Sequence, residues 1–214
     1  MPGRSATSRT GLATVVLAAG AGKRFGGVKQ VAEVGGQPCL TRVLGAVDGF
    51  AEDQIVVLGA AAERVRLVIP EADWRVVLCP DWEAGVGASL RGGLRAMGSV
   101  DAVLVALGDL PWLRREAVER VLAAAAEHPA AEAVRAFEDG TPGHPLFLRG
   151  ALLEAARSAP DRGFGAILRD AEVVRVNCSG LGASRDLDHP DDLEARSSDG
   201  RSAARLQRGW IGPT

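Results

Sequence analysis

Residues 15–29 run Val15-Val16-Leu17-Ala18-Ala19-Gly20-Ala21-Gly22-Lys23-Arg24-Phe25-Gly26-Gly27-Val28-Lys29. The first five are an uninterrupted apolar run with no period-2 alternation, which is how a strand buried on both faces reads. The chain then enters a loop rich in glycine and in cations, Lys23, Arg24 and Lys29. Glycine lets backbone approach a ligand closely, and exposed amides beside Lys and Arg suit phosphate. A buried strand that delivers such a loop predicts an α/β fold with a ligand site beyond the strand's carboxyl end.

Working outward, the runs 55–58, 76–78 and 102–107 are equally apolar and are expected to be further buried strands. Between them lie helical spacings. Leu113, Ala117, Val118, Val121, Leu122 and Ala125 share one face, and 38–47, 60–68 and 86–97 show weaker versions of the pattern. This alternation predicts one mostly parallel sheet with helices on both faces. Short apolar segments at 133–137, 146–148 and 173–176 surround a Gly/Pro loop and are expected to form an edge or a small subsheet over the ligand face. The expected domain covers 13–196, with a polar tail at 1–12 and a flexible one at 197–214.

A length of 214 residues suits one domain, and a hydrophobic fraction of 47% suits a sizeable core. The net charge of -2 gives no general pull toward nucleic acid or membrane. Three cysteines, Cys39, Cys79 and Cys178, match no metal spacing and argue for a reducing compartment. No apolar run approaches the ~20 residues of a membrane span. A cytoplasmic location is the expectation.

Two familiar phosphate loops fit poorly. The dinucleotide fingerprint needs glycine where Phe25 stands, and a P-loop ending at Lys23 needs glycine at Leu17 and Ser or Thr at Arg24. The pattern L-A-A-G-x-x-x-R-[MF]-G-x-x-K fits. It resembles the signature of the MobA/MocA-like NTP transferases, which include the molybdenum-cofactor cytidylyl- and guanylyltransferases. The resemblance implies a single three-layer, Rossmann-like (GT-A-like) nucleotidyltransferase domain. It implies that Leu17, Ala18, Ala19, Gly20 and Gly22 wrap the nucleotide with backbone, while Arg24 and Lys29 grip its phosphates.

Further motifs follow in the family's order. Leu107-Gly108-Asp109-Leu110-Pro111 ends the most apolar strand. A carboxylate there is well placed to hold Mg²⁺, which prefers oxygen ligands. It could equally cap the following helix. By resemblance, Asp109 binds the catalytic metal. Leu110 stands where molybdenum-cofactor members often have Gln. Pro80-Asp81-Trp82, followed by Gly85, Ser89, Leu90, Arg91 and Gly93, resembles a stretch of the cytidylyl branch, which implies that Pro80 and Ser89 lie at the nucleotide. Gly143-His144-Pro145 resembles an acceptor-side loop, which makes His144 an acceptor contact. Asp186-Leu187-Asp188-His189-Pro190 resembles the family's C-terminal motif. There Asp186 is the candidate second metal ligand, and Asp188 could cap a helix begun by Pro190.

The implied reaction moves CMP from CTP to a phosphorylated acceptor of the molybdopterin kind and releases pyrophosphate. Mg²⁺ is the cofactor, and a molybdoenzyme would receive the product. Ala19 favours CTP over GTP, because its methyl would crowd a purine. Two rival classes remain: a nicotinamide-dependent oxidoreductase of the nicotine-blue type, and a non-catalytic protein that binds NTP but releases no pyrophosphate.

Overall fold

The computed structural model describes residues 11–70, 74–158 and 163–194. Its elements in chain order are β1 (Leu12–Ala18), β2 (Glu33–Val34), β3 (Gln37–Pro38), α1 (Cys39–Val47), β4 (Asp53–Leu58), α2 (Ala62–Arg66), β5 (Arg75–Leu78), α3 (Val86–Met97), β6 (Ala102–Leu107), α4 (Arg115–Glu127), β7 (Ala133–Glu138), β8 (Thr141–Arg149), α5 (Gly150–Ser158), α6 (Phe164–Ile167), β9 (Val173–Asn177) and α7 (Asp191–Glu194). Seven strands form one sheet in the order β5-β4-β1-β6-β8-β7-β9. The β5-β4-β1-β6 part is parallel throughout, and β8 alone runs against its neighbours. Among the described residues no helix is long and apolar enough to cross a membrane.

Each central strand is apolar on both sides because each side meets a helical layer. Val16, Ala18, Val56, Leu58, Leu104 and Ala106 face α1 and α4. Val15, Leu17, Ile55, Val57, Val103 and Val105 face α3 and α5. The three-layer α/β expectation holds. Two details differ and one open alternative is decided. Leu12, left to the N-terminal tail in the sequence reading, already belongs to β1, where it pairs with Ala102. The run 76–78 was expected to be buried on both faces. It is an edge strand instead, and Leu78 is 62% exposed. Of the two alternatives for 133–149 and 173–177 the edge is what forms, since these strands extend the main sheet to β9 and make no separate subsheet. Residues 1–10 and 195–214, which hold most of both expected tails and the expected domain end, lie outside the described residues.

Local chemistry accounts for several joints. Asp139 and Gly140, with φ of 50° and 82°, close the β7–β8 hairpin, and that pair of positive φ values favours the Asp-Gly sequence. Arg75 reaches both carboxylate oxygens of Asp53 at 3.1 Å, which fastens the edge strand to its neighbour. All three cysteines are buried and unpaired.

Two adjacent glycines in α3 give a test of packing. A methyl at Gly93 would meet Val57 Cγ2 at 2.9 Å and Val15 Cγ1 at 3.0 Å, both on fully buried strands. A methyl at Gly92 would meet only Cys79, at 3.6 Å. Gly92→Ala should gain about 1 kcal/mol of helix propensity, or ~2–4 °C in Tm. Gly93→Ala should lose that gain and about 1–2 kcal/mol more to overpacking. Thermal melts of the two variants beside the parent check the opposite signs.

Candidate active site

A cavity of about 680 Å³ opens at the carboxyl ends of β1 and β6. Its wall is the glycine loop, with Leu17, Ala19, Gly20, Gly22, Arg24 and Lys29 lining it. The start of α3 contributes Ser89, 4% exposed, and the loop before it contributes Trp82 and Glu83. The loop keeps its shape through Gly22. That residue has φ of 63°, and a methyl there would sit 2.2 Å from the Gly27 carbonyl oxygen.

Gln30, 2% exposed, fixes the loop from behind. Its Nε2 donates to the Ala18 oxygen at 3.3 Å and to the Gly20 oxygen at 3.0 Å. In a trans peptide the N–H points opposite to the C=O. Those two bonds therefore turn the N–H groups of Ala19 and Ala21 away from Gln30.

Asp109 lies two residues beyond the end of β6, on the cavity floor. It does not cap α4, whose N-cap is Arg114, so the helix-cap alternative is not what the chain does. Lys29 Nζ donates to Asp109 Oδ2 at 2.5 Å and to Asp188 Oδ1 at 3.1 Å. Arg24 reaches Asp188 Oδ2 at 2.8 Å. Burial works against the Lys29 charge, but Asp109 and then Asp188 outweigh it and raise the Lys29 pKa above its usual value. The second carboxylate oxygen of Asp109 is buried and has no partner.

The C-terminal motif arrives here through the backbone. Leu187 N donates to the Asp109 oxygen at 2.8 Å, and the Leu187 side chain is fully buried. In an extended segment the flanking Asp186 and Asp188 then point the other way. Asp188, read from sequence as a possible helix cap, is instead the partner of Lys29 and Arg24. Asp192, inside α7, turns its Oδ2 back to accept from the N–H groups of Asp188 and His189. Asp186, the candidate second metal ligand, does not line the main cavity. Partial burial and the charges of Asp109 and Asp188 push its carboxyl up to about 6.

Two other expectations meet a different geometry. Pro80 does not line the cavity, and Trp82, Glu83, Gly85 and Val86 do. His144 is 4% exposed, its Nδ1 donates to the Val105 oxygen at 3.1 Å, and its ring stands edge-on to Phe164 at 5.0 Å. Phe164 lines the cavity, so the imidazole supports the wall from behind where an acceptor contact was expected. The neighbouring glycine is equally structural, since a methyl on Gly143 would fall 2.2 Å from the Ala183 oxygen. The residues that sequence reasoning missed are Gln30, Phe164 and the ion-paired role of Asp188.

Burial pushes the His144 pKa down to about 4. The unfolded chain takes up that proton near 6.5, so between these values the unfolded state binds more protons. His144 therefore contributes stability that is present above about pH 6.5 and is lost as pH falls toward 4, up to ~3 kcal/mol in all. His144→Asn should flatten this part of a stability-against-pH curve measured by urea unfolding.

The MobA-like NTP transferase domain family matches residues 14–176. The chain belongs to this family. The matched span contains the glycine loop, Lys29, Asp109 and the whole sheet up to β9. A MobA-like chain of this kind is a nucleotidyltransferase by family. Nicotine blue oxidoreductase of Paenarthrobacter nicotinovorans is 32% identical over 195 residues, covering 84% of this chain and 93% of that protein. The crystal structure of Rv0371c from Mycobacterium tuberculosis H37Rv is 27% identical with a TM-score of 0.75, over 87% of this chain and 96% of that one. A nucleotidyl transferase from Methanothermobacter is 25% identical with a TM-score of 0.74, over 89% and 98% of the two chains. Rv0371c has also been crystallised in complex with manganese.

Proposed function

We propose that this protein transfers CMP from CTP to a phosphorylated acceptor of the molybdopterin class and releases pyrophosphate, in the cytoplasm, with Mg²⁺ as cofactor. The observation that carries this reading is the floor of the cavity. There Lys29 bridges Asp109 and Asp188 beneath the glycine loop, and one buried Asp109 oxygen is left without a partner.

That oxygen is a hard donor beneath the glycine loop, which suits a hard cation. Among the described residues no cluster of three His, Cys, Asp or Glu side chains forms a closed metal cage. Mg²⁺ needs none, since it binds through one or two carboxylates plus substrate oxygens and water. Asp109 would hold it, with Asp186 or Asp188 as the second carboxylate. When bound, the ion would offset charge on the phosphate oxygens. The chain's own residues do the rest. Loop amides and Ser89 receive base and ribose, and Lys29 and Arg24 neutralise the triphosphate. Phe164 and Trp82 shield the reacting groups from water. Attack by an acceptor phosphate on the α-phosphorus then needs positioning and charge neutralisation, with no covalent enzyme intermediate. Cys39 is no rival nucleophile, because burial pushes its thiol pKa far up.

Ala19 lines the cavity and supports CTP, since its methyl narrows the bed available to a purine. Isothermal titration with Mg²⁺ and each NTP tests the choice, and tighter binding of GTP than of CTP would overturn it. The name of the relative from Paenarthrobacter favours one second reading, reduction of a pigment with a nicotinamide cofactor. Phe25 in place of a fingerprint glycine argues against it. Oxidation of NADPH by the purified protein with such a pigment, without pyrophosphate release from any NTP, would support the oxidoreductase.

A further inference from the structure

Arg135 on β7 and Arg175 on β9 are register partners in adjacent parallel strands. Register partners point to the same face, and like charges placed so repel. The face is the one that carries α3, α5 and α6, because Ala133 and Val173, two residues before each arginine, pack there. It is therefore the face of Phe164, the cavity wall. Arg135 is half-buried. Its Nε donates to the Gly143 oxygen at 2.9 Å, and Gly143 precedes His144, the residue behind Phe164. Burial lowers the Arg135 pKa from its usual value. Arg175 lies over the Phe137 ring, 5.0 Å from its centre.

Neither guanidinium has a carboxylate partner among the described residues. Glu138, the acid on β7, is committed elsewhere. Its oxygens accept from Gly182 N, Ser184 N and Ser184 Oγ, and Arg185 lies 3.6 Å away. Arg135 is half-buried and Arg175 exposed, and two guanidiniums side by side without an acid repel, a repulsion that a bound anion would relieve.

We propose that Arg135 and Arg175 form an oxyanion subsite of the phosphate class on the sheet face that carries Phe164, beyond the lining of the main cavity. It rests on the nucleotidyl-transfer reading, which supplies an anionic acceptor. β7 is two strands away from β6, or roughly 10 Å across the sheet from the Asp109 strand. Arg135 is level with Val105, four residues or roughly 13 Å along the strand short of Asp109, so an acceptor reaching both places would run diagonally past Phe164.

The probe is inorganic phosphate, titrated into the full chain while the ¹⁵N-labelled arginine Nε resonances are followed. Titrations are run with and without a non-hydrolysable CTP analogue and Mg²⁺. Saturable shifts of Arg135 and Arg175 that persist with the analogue bound are expected. Arg175→Gln should weaken phosphate binding severalfold, and Arg135→Gln with Arg175→Gln by on the order of tenfold, with analogue affinity unchanged. Arg135→Lys replaces Arg135→Gln if loss of the bond to Gly143 prevents folding. Unchanged phosphate affinity in the double variant would overturn the subsite. So would its loss whenever the analogue binds, because the phosphate would then sit on the triphosphate side. A parent protein that binds no nucleotide, yet binds phosphate through these arginines, would leave the subsite standing and remove the nucleotidyl-transfer reading.

Discussion

Asp109→Asn should cut pyrophosphate release from CTP, Mg²⁺ and acceptor by on the order of 10²–10⁴, because several kcal/mol of charge stabilisation are at stake. Asn keeps the shape of the side chain and replaces its charge with a neutral oxygen. The carboxylate also pairs with Lys29 at 2.5 Å, so some stability is lost. The loss should stay near 1 kcal/mol, or ~2–4 °C in Tm, since Lys29 retains Asp188 and the repulsion felt by Asp186 is relieved. Melting in rising Mg²⁺ supplies a reading apart from turnover. The parent should be stabilised by the ion and Asp109→Asn should not, as follows from ligand linkage. An Asp109→Asn protein with normal turnover and a normal Mg²⁺ shift would remove the metal assignment.

Lys29→Met should be nearly as damaging, with turnover down on the order of 10²–10³, the scale of losing one preorganised charge-stabilising donor. The Lys29 side chain is 12% exposed and its ammonium sits between two carboxylates. Its removal leaves Asp188 with the 72% exposed Arg24 and takes from Asp109 its ion pair. Breaking a buried pair from one side costs about 3–5 kcal/mol, and partial exposure here brings the expected loss to the lower part of that range. The variant should then gain more from added Mg²⁺ than the parent does, because a cation is missing from the site. Lys29→Arg keeps the charge but changes its shape, and should restore stability more than turnover. Thermal melts with and without Mg²⁺, beside pyrophosphate release, separate these effects. Equal Mg²⁺ shifts in Lys29→Met and parent would mean that the two carboxylates do not receive the ion.

Much of the framework is set by the sequence alone. The long apolar run 102–107 read as a strand covered on both faces and appeared at the expected residues, and 86–97 became α3. The glycines and cations of 20–29 mark a phosphate loop whatever follows, because backbone freedom and charge are local properties. The L-G-D-x-P signal placed Asp109 at a strand end for the same local reason.

What the sequence left open depends on which distant segments meet. The runs 76–78 and 55–58 read alike, yet one is an edge and the other central, because strand order is a property of the whole sheet. His144 stands in a motif that suggests ligand contact, but burial against Val105 and Phe164 makes it a support. Asp186 and Asp188 lie two residues apart and share one side of their segment, and nothing local says that this side, and not that of Leu187, meets the Asp109 strand end. The bond from Leu187 to Asp109 and the burial of Leu187 decide it, across a separation that no periodicity spans. Arg135 and Arg175 lie far apart in the chain, and only the pairing of β7 with β9 sets their charges side by side.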